Sequence, residues 1–233
     1  MSPALAVFTR EPVYGQVKTR IAAELGHDMA LMVHLGMVRH TLAALQPLVG
    51  RGVVTELWVS GDSEAVECRH WASALSARRR CQHGDDLGSA MWYCCVTHLN
   101  VGRNVIIVGT DIANLTADYV REAAMMLEEV DVVLGPCEDG GYGLIGLSRP
   151  TPELFRGIPW GTRHVYERTL DKAEVHGYSV ASLAPLWDVD NAADVVRFQN
   201  TVGHLGPIDS LRYALHEGSH APFGPGRKPL VAR

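Results

Sequence analysis

The sequence predicts an α/β fold: a single-domain, three-layer α/β/α sandwich around a mostly parallel sheet. Three observations carry this. Short apolar runs alternate with segments of helical spacing along the chain. One run, 104–109 (NVIIVG), is apolar almost throughout, as a central strand covered on both faces must be. The 233 residues, 47 % of them hydrophobic, suffice to bury one sizeable core.

The elements follow in order. Residues 4–9 (ALAVFT) read as a strand, and 27–46 as a helix that stops before Pro47. Residues 55–60 (TELWVS) read as a second strand, 63–76 as a helix, Arg79–Gln82 as a short strand and 86–99 as a helix. After the central strand, Thr116 is placed to cap a helix running to 129. Strands are expected at 131–136 and 143–147, a helix at 162–176, a strand near 178–184 and a helix at 191–200 that Asp190 or Asn191 could cap. These elements make one domain over 1–203. A C-terminal helix and a Gly/Pro-rich tail are expected over 204–233, loose or docked on a second copy in a homodimer.

Composition narrows the partners. A net charge of −5 argues against a general nucleic-acid binder, though not against one local phosphate site. No segment approaches the ~18 apolar residues of a membrane span, and no signal peptide is evident at the N-terminus. Five cysteines, with no CxxC and no zinc spacing, read as reduced and mostly buried thiols of a cytoplasmic protein.

In an open parallel sheet, ligands sit at the carboxyl ends of the strands. That rule brings the loop after strand one, Asp62, Asp111, Glu138, Asp139, Asp188 and Asp190 to one cleft. The first loop (residues 10–20) carries Arg10, Lys18 and Arg20 around Gly15, and the whole chain has only three lysines. Such a loop suits phosphate oxygens or is simply a charged surface loop; neither a Walker loop nor a dinucleotide fingerprint is present. Asp111, directly after the central strand, binds a metal or caps a helix. Asp188 and Asp190 lie two apart and so face one side, and close carboxylates call for a cation between them. Mg²⁺ commonly takes one or two carboxylates and completes its shell with phosphate oxygens. In GPCEDGGYGLIGL (135–147), Gly140 and Gly141 make a tight turn, either a plain hairpin or bare backbone beside a bound sugar or nucleotide. His34 and His40 read as packing or surface residues of the long helix, and the five tryptophans as core or cleft walls.

Six segments in order, VFTREPVYGQVKTRI, QHGDDLGSAM, GTDIANL, GPCEDGGYGLIGL, WGTRHVYERT and DVDNAADV, resemble the radical-SAM/selenodomain-associated transferase group, often labelled arsenosugar-biosynthesis glycosyltransferase-like. That group is similar in turn to the GT-A nucleotide-diphospho-sugar transferases, with a Rossmann-like sheet, and to guanylyltransferases. The resemblance implies that Phe8, Arg10, Gly15, Lys18, Arg20, Gln82, Gly88 and Thr110 bind the nucleotide and its phosphates. It implies Mg²⁺ or Mn²⁺ on Asp111 and Asp190, and an acceptor against Gly140, Gly141, Tyr142 and Trp160. Lys18, Arg20, Asp139 and Asp188 are the expected catalytic residues. The chain carries Ala90 where the pattern has arginine, and Ile112-Ala113 where it has Cys-Pro. The expected activity is glycosyl transfer from a nucleotide-sugar to a small acceptor. Nucleotidyl transfer to a phosphorylated or phosphonylated molecule is the alternative, and a catalytically weak nucleotide-binding homologue the third.

Overall fold

The computed structural model describes residues 3–50 and 52–202, so the expected tail over 204–233 lies outside the described residues. Seven strands form one sheet: β1 (Ala4–Arg10), β2 (Val54–Ser60), β3 (Arg78–Cys81), β4 (Val105–Gly109), β5 (Val132–Pro136), β6 (Tyr142–Leu147) and β7 (Val180–Ser182). Their order is β3-β2-β1-β4-β6-β5-β7. Every neighbouring pair is parallel except the two that involve β6, which runs antiparallel to both β4 and β5. The sheet is thus mostly parallel, as predicted, with one reversed strand supplied by the hairpin through Gly140-Gly141.

Alternation along the strands divides the core. Leu5, Val7, Leu57, Val59, Ile106 and Val108 face one side, with α2 (His27–Leu45), α3 (Val66–Ala74) and α5 (Ala117–Met126) packed over them. Ala4, Ala6, Phe8, Trp58, Val105 and Ile107 face the other, under α4 (Leu87–Leu99) and α6 (Val165–Val175). This is the three-layer sandwich. A third, smaller core joins α1 (Thr19–Leu25), α2 and α7 (Ala192–Val202) through Ile21, Met29, Val33, Met37, Val195 and Phe198, with Trp187 and Val189 from the segment before α7.

Caps explain several boundaries. Asp86 and Thr116 accept from the backbone N–H of Ser89 and Tyr119 and start α4 and α5. Asn191 caps α7: its side chain accepts from Asp194 N–H at 3.0 Å, while Asp194 accepts from Asn191 N–H at 3.1 Å. Asp190 is therefore not the cap. The sequence pattern missed α1, a seven-residue helix whose N-terminus has no side-chain cap.

Candidate active site

The carboxyl ends of β1 and β4, the start of β6 and the segment before α7 enclose a cleft of about 740 Å³. Phe8, Arg10, Lys18, Arg20, Gln82, Thr110, Asp111, Asp139, Gly141, Tyr142, Asp188 and Asp190 all line it, so most of the expected site residues meet in one place.

Lys18 sits at the centre. Its Nζ donates to the Val189 carbonyl oxygen at 2.7 Å and lies 2.8 Å from Asp111 Oδ1 and 3.1 Å from Asp190 Oδ1. The side chain is 5 % exposed. Its three N–H donors therefore meet three acceptors. Burial opposes the charge, but the Asp111 and Asp190 carboxylates more than compensate and raise the ammonium above its ordinary value. The backbone at Lys18 is left-handed, with φ 46°, which costs a non-glycine residue roughly 1 kcal/mol. A glycine would adopt this conformation freely; only the side chain gives a reason for lysine here.

The neighbouring charges follow from this centre. Burial would raise the Asp111 carboxyl, but Lys18, with His34 and Arg10 behind it, holds it below the usual range. Arg20 reaches Asp190 Oδ2 at 3.3 Å and is otherwise exposed. Asp188 makes no ion pair among the described residues, and burial, with Asp139 and Asp190 facing it, pushes it up to about 6. Asp139 accepts from Gly141 N–H at 2.8 Å, which fixes the turn.

Two histidines, expected to be packing or surface residues, tie α2 to the site loops. His34 donates through Nε2 to the Arg10 carbonyl at 3.0 Å, and His40 to the Ala113 carbonyl at 2.8 Å. Burial lowers both imidazoles below their ordinary value, so both stay neutral donors at pH 7. Gln82 donates through its amide to the carbonyls of Thr9 and Trp58, both at 3.0 Å, and joins the exits of β1 and β2. The signal that could have singled out His34 is its helical spacing from Ala30, Met37 and Val38, which share the buried face of α2.

A second cavity of about 220 Å³ adjoins the cleft and shares Phe8, Arg20, Asp139, Gly141, Tyr142 and Asp190 with it. Its inner wall is Met91, Ile107, Leu144, Ile145, Val165 and Trp160, and Arg20 is its one cation among the described residues. The Tyr142 and Trp160 rings meet edge to face at 6.2 Å.

Some expected residues lie elsewhere. Asp62 accepts from Glu64 N–H at 2.8 Å beside the start of α3 and does not line the cleft. Glu138 turns outward, bonded at 2.6 and 2.9 Å by Arg197, whose guanidinium stacks over Trp187 at 4.1 Å. Gly15 turns the loop without lining it. Gly88 is packing: a Cβ there would lie 2.6 Å from the Phe155 oxygen and from Trp160 Nε1. Gly140, at φ 89°, packs so closely on Arg163 that a Cβ would overlap its carbonyl oxygen. Cys68, Cys94 and Cys95 are buried and Cys81 exposed, all as free thiols; Cys137 lines the cleft, and burial raises its thiol far above reactivity at neutral pH.

The donor set suits a hard divalent cation, since carboxylate oxygens are the ligands Mg²⁺ and Mn²⁺ prefer. Asp111 and Asp190 already converge on one cationic atom, Lys18 Nζ. Among the described residues no group of three or more His, Cys, Asp or Glu side chains could hold a metal. Such an ion would find two carboxylates here, Asp111 and Asp190, and would need its remaining oxygen ligands from outside the protein. No helix among the described residues is long and apolar enough to cross a membrane.

Comparison with known proteins bears on the fold. The chain is similar to a proposed nucleotide-diphospho-sugar transferase from Desulfovibrio desulfuricans G20, with 28 % identity and a TM-score of 0.79 over 93 % of this chain and 96 % of that one. It shares its fold with the inositol-1-phosphate CTP transferase from T. maritima, at 13 % identity and a TM-score of 0.56, covering 94 % and 98 % of the two chains. It also shares it with CMP:2-keto-3-deoxy-manno-octonic acid synthetase complexed with CTP, at 12 % and 0.52, covering 86 % and 98 %. No curated protein matches the chain. Residues 45–162, half of the chain, match the family described as an uncharacterized protein conserved in bacteria, and the chain thus belongs to that family, DUF2064, with the fold of the nucleotide-diphospho-sugar transferases.

Proposed function

We propose that the protein is a divalent-metal-dependent transferase that moves a sugar from a nucleotide-sugar to a small uncharged acceptor. One observation carries the choice: the charged cleft opens into a cavity walled by Tyr142, Trp160 and aliphatic side chains, with Arg20 as its one cation among the described residues. Aromatic walls suit the apolar face of a sugar ring, and a phosphorylated acceptor would require more cations. The resemblance of the motifs to the radical-SAM/selenodomain-associated group supports the same reading.

Arg10, Lys18 and Arg20 bind the diphosphate, and Phe8 and Gln82 line the nucleotide's end of the cleft. Asp111 and Asp190 would hold the Mg²⁺ or Mn²⁺, which supplies charge neutralisation for the departing diphosphate. The acceptor hydroxyl oxygen bonds to the anomeric carbon of the donor sugar. The bond from that carbon to the diphosphate breaks, and its electron pair leaves with the nucleoside diphosphate. The hydroxyl proton passes to a carboxylate, Asp188 or Asp139, both of which line the cleft. With five free thiols, the reaction belongs in the cytoplasm.

The test is a donor panel with Mg²⁺ or Mn²⁺, followed by the released product. Nucleoside diphosphate from a nucleotide-sugar supports glycosyl transfer. Pyrophosphate from a nucleoside triphosphate overturns it in favour of nucleotidyl transfer. Nucleotide binding without either product means that catalysis has been lost.

A further inference from the structure

We propose that Lys18 reserves the cation position between Asp111 and Asp190, so that a divalent ion enters only together with a nucleotide. This rests on the metal-dependent reading above. The ammonium meets one oxygen of each carboxylate and the Val189 carbonyl at 2.7 to 3.1 Å, which leaves it no donor for a phosphate. Asp190 is engaged at both oxygens, the second by Arg20. A divalent ion taking the same oxygens would stand a few ångströms from a buried ammonium, and that repulsion is strong in a partly dry site. Ion and ammonium therefore exclude each other. A diphosphate changes the balance: it offers the ammonium other oxygens, and its own oxygens complete the ion's shell. Lys18 moves from the carboxylates to the phosphates, and the ion takes its place. The left-handed backbone at Lys18, just before α1, puts the pivot of this exchange at the end of the first loop.

The experiment is Mn²⁺ titration of the full chain without nucleotide, with free Mn²⁺ read by electron paramagnetic resonance. The Lys18→Met protein should bind Mn²⁺ at least ~10-fold tighter than wild type, the factor expected for a lost charged contact. Adding Asp111→Asn to Lys18→Met should abolish that gain. Equal affinity in wild type and Lys18→Met overturns the exclusion while the metal site stands. No Mn²⁺ binding by either protein, without the nucleoside diphosphates or beyond what those bind themselves when added, overturns the exclusion and the metal-dependent reading together. Should Lys18→Met not fold, wild-type protein labelled with [ε-¹³C]lysine gives the answer, because the chain has only three lysines to resolve. The Lys18 resonance should ignore Mg²⁺ alone and move on addition of Mg²⁺ with an equimolar mixture of ADP, CDP, GDP and UDP. Movement with Mg²⁺ alone, or none under either addition, overturns the proposal.

Discussion

Asp188 stands among carboxylates with no cation of its own among the described residues, while its neighbours Asp111 and Asp190 share Lys18. Asp188→Asn keeps the shape and removes the proton acceptor. Turnover should fall at least ~100-fold, the usual share of a general base, with nucleotide affinity by calorimetry unchanged. Unchanged turnover would move that role to Asp139. Gly140 makes a different kind of residue-scale demand. Gly140→Ala must both adopt φ 89° and push Arg163 away, so it should lose about 2–3 kcal/mol in urea unfolding. The need for a cation beside the paired aspartates was legible in the sequence, but the spacing put it between Asp188 and Asp190, whereas the structure puts it between Asp111 and Asp190. That the cation would be Lys18 was not legible, since the partners lie 93 and 172 residues away along the chain and no local spacing links them.

At the level of elements, α2 does more than cover the sheet. His34 and His40 hold the carbonyls of the loops leaving β1 and β4. His34 also faces Asp111, Lys18 and Arg10, whereas His40 meets the Ala113 carbonyl and, edge-on at 5.3 Å, the Phe198 ring. Both imidazoles are depressed in the folded protein, so the unfolded chain takes up protons first as pH falls below 6.5. The stability they contribute is full above that value and is lost as pH drops through the folded values. The urea midpoint should decline from pH 7 to pH 5, and less steeply in His40→Gln; equal slopes would remove His40 from the account. Long or strongly periodic elements such as α2 and β4 were plain from the pattern. The seven-residue α1 was not, because two turns without a side-chain cap leave too little periodicity.

Across the whole molecule, the layers are joined by a buried charge. Glu56 on β2 is 1 % exposed and accepts from Trp58 Nε1 at 3.0 Å and Arg80 Nε at 3.1 Å, with His98 Nε2 of α4 at 3.1 Å. Burial would raise this carboxyl, yet His98 and Arg80 hold it below the ordinary carboxylate value. Its contribution is present above about pH 4.5 and lost as pH falls through the folded value. Glu56→Leu strips His98 and Arg80 of their partner and should lower stability by about 3 kcal/mol at pH 7, by denaturant unfolding. Less than about 1 kcal/mol would mean that the layers hold without it. The general rule of ligands at strand exits located the cleft, but strand order and the outward turn of Glu138 depend on contacts that no single segment encodes.

The reversed strand β6 has a consequence for how such a protein can change. The half of the cleft around Lys18 comes from the strand exits of β1 and β4 and the segment before α7, while the aromatic half comes largely from a strand entry and the stretch up to Trp160. Much of the aromatic half, Tyr142, Leu144, Ile145 and Trp160, comes from one stretch of chain, while Phe8, Arg20, Met91 and Ile107 complete it from elsewhere. Exchanging residues 137–162 for those of a relative should therefore change which small molecule the cavity takes and leave the cluster of Lys18, Asp111 and Asp190 as it was, so that one segment gives this scaffold room to vary.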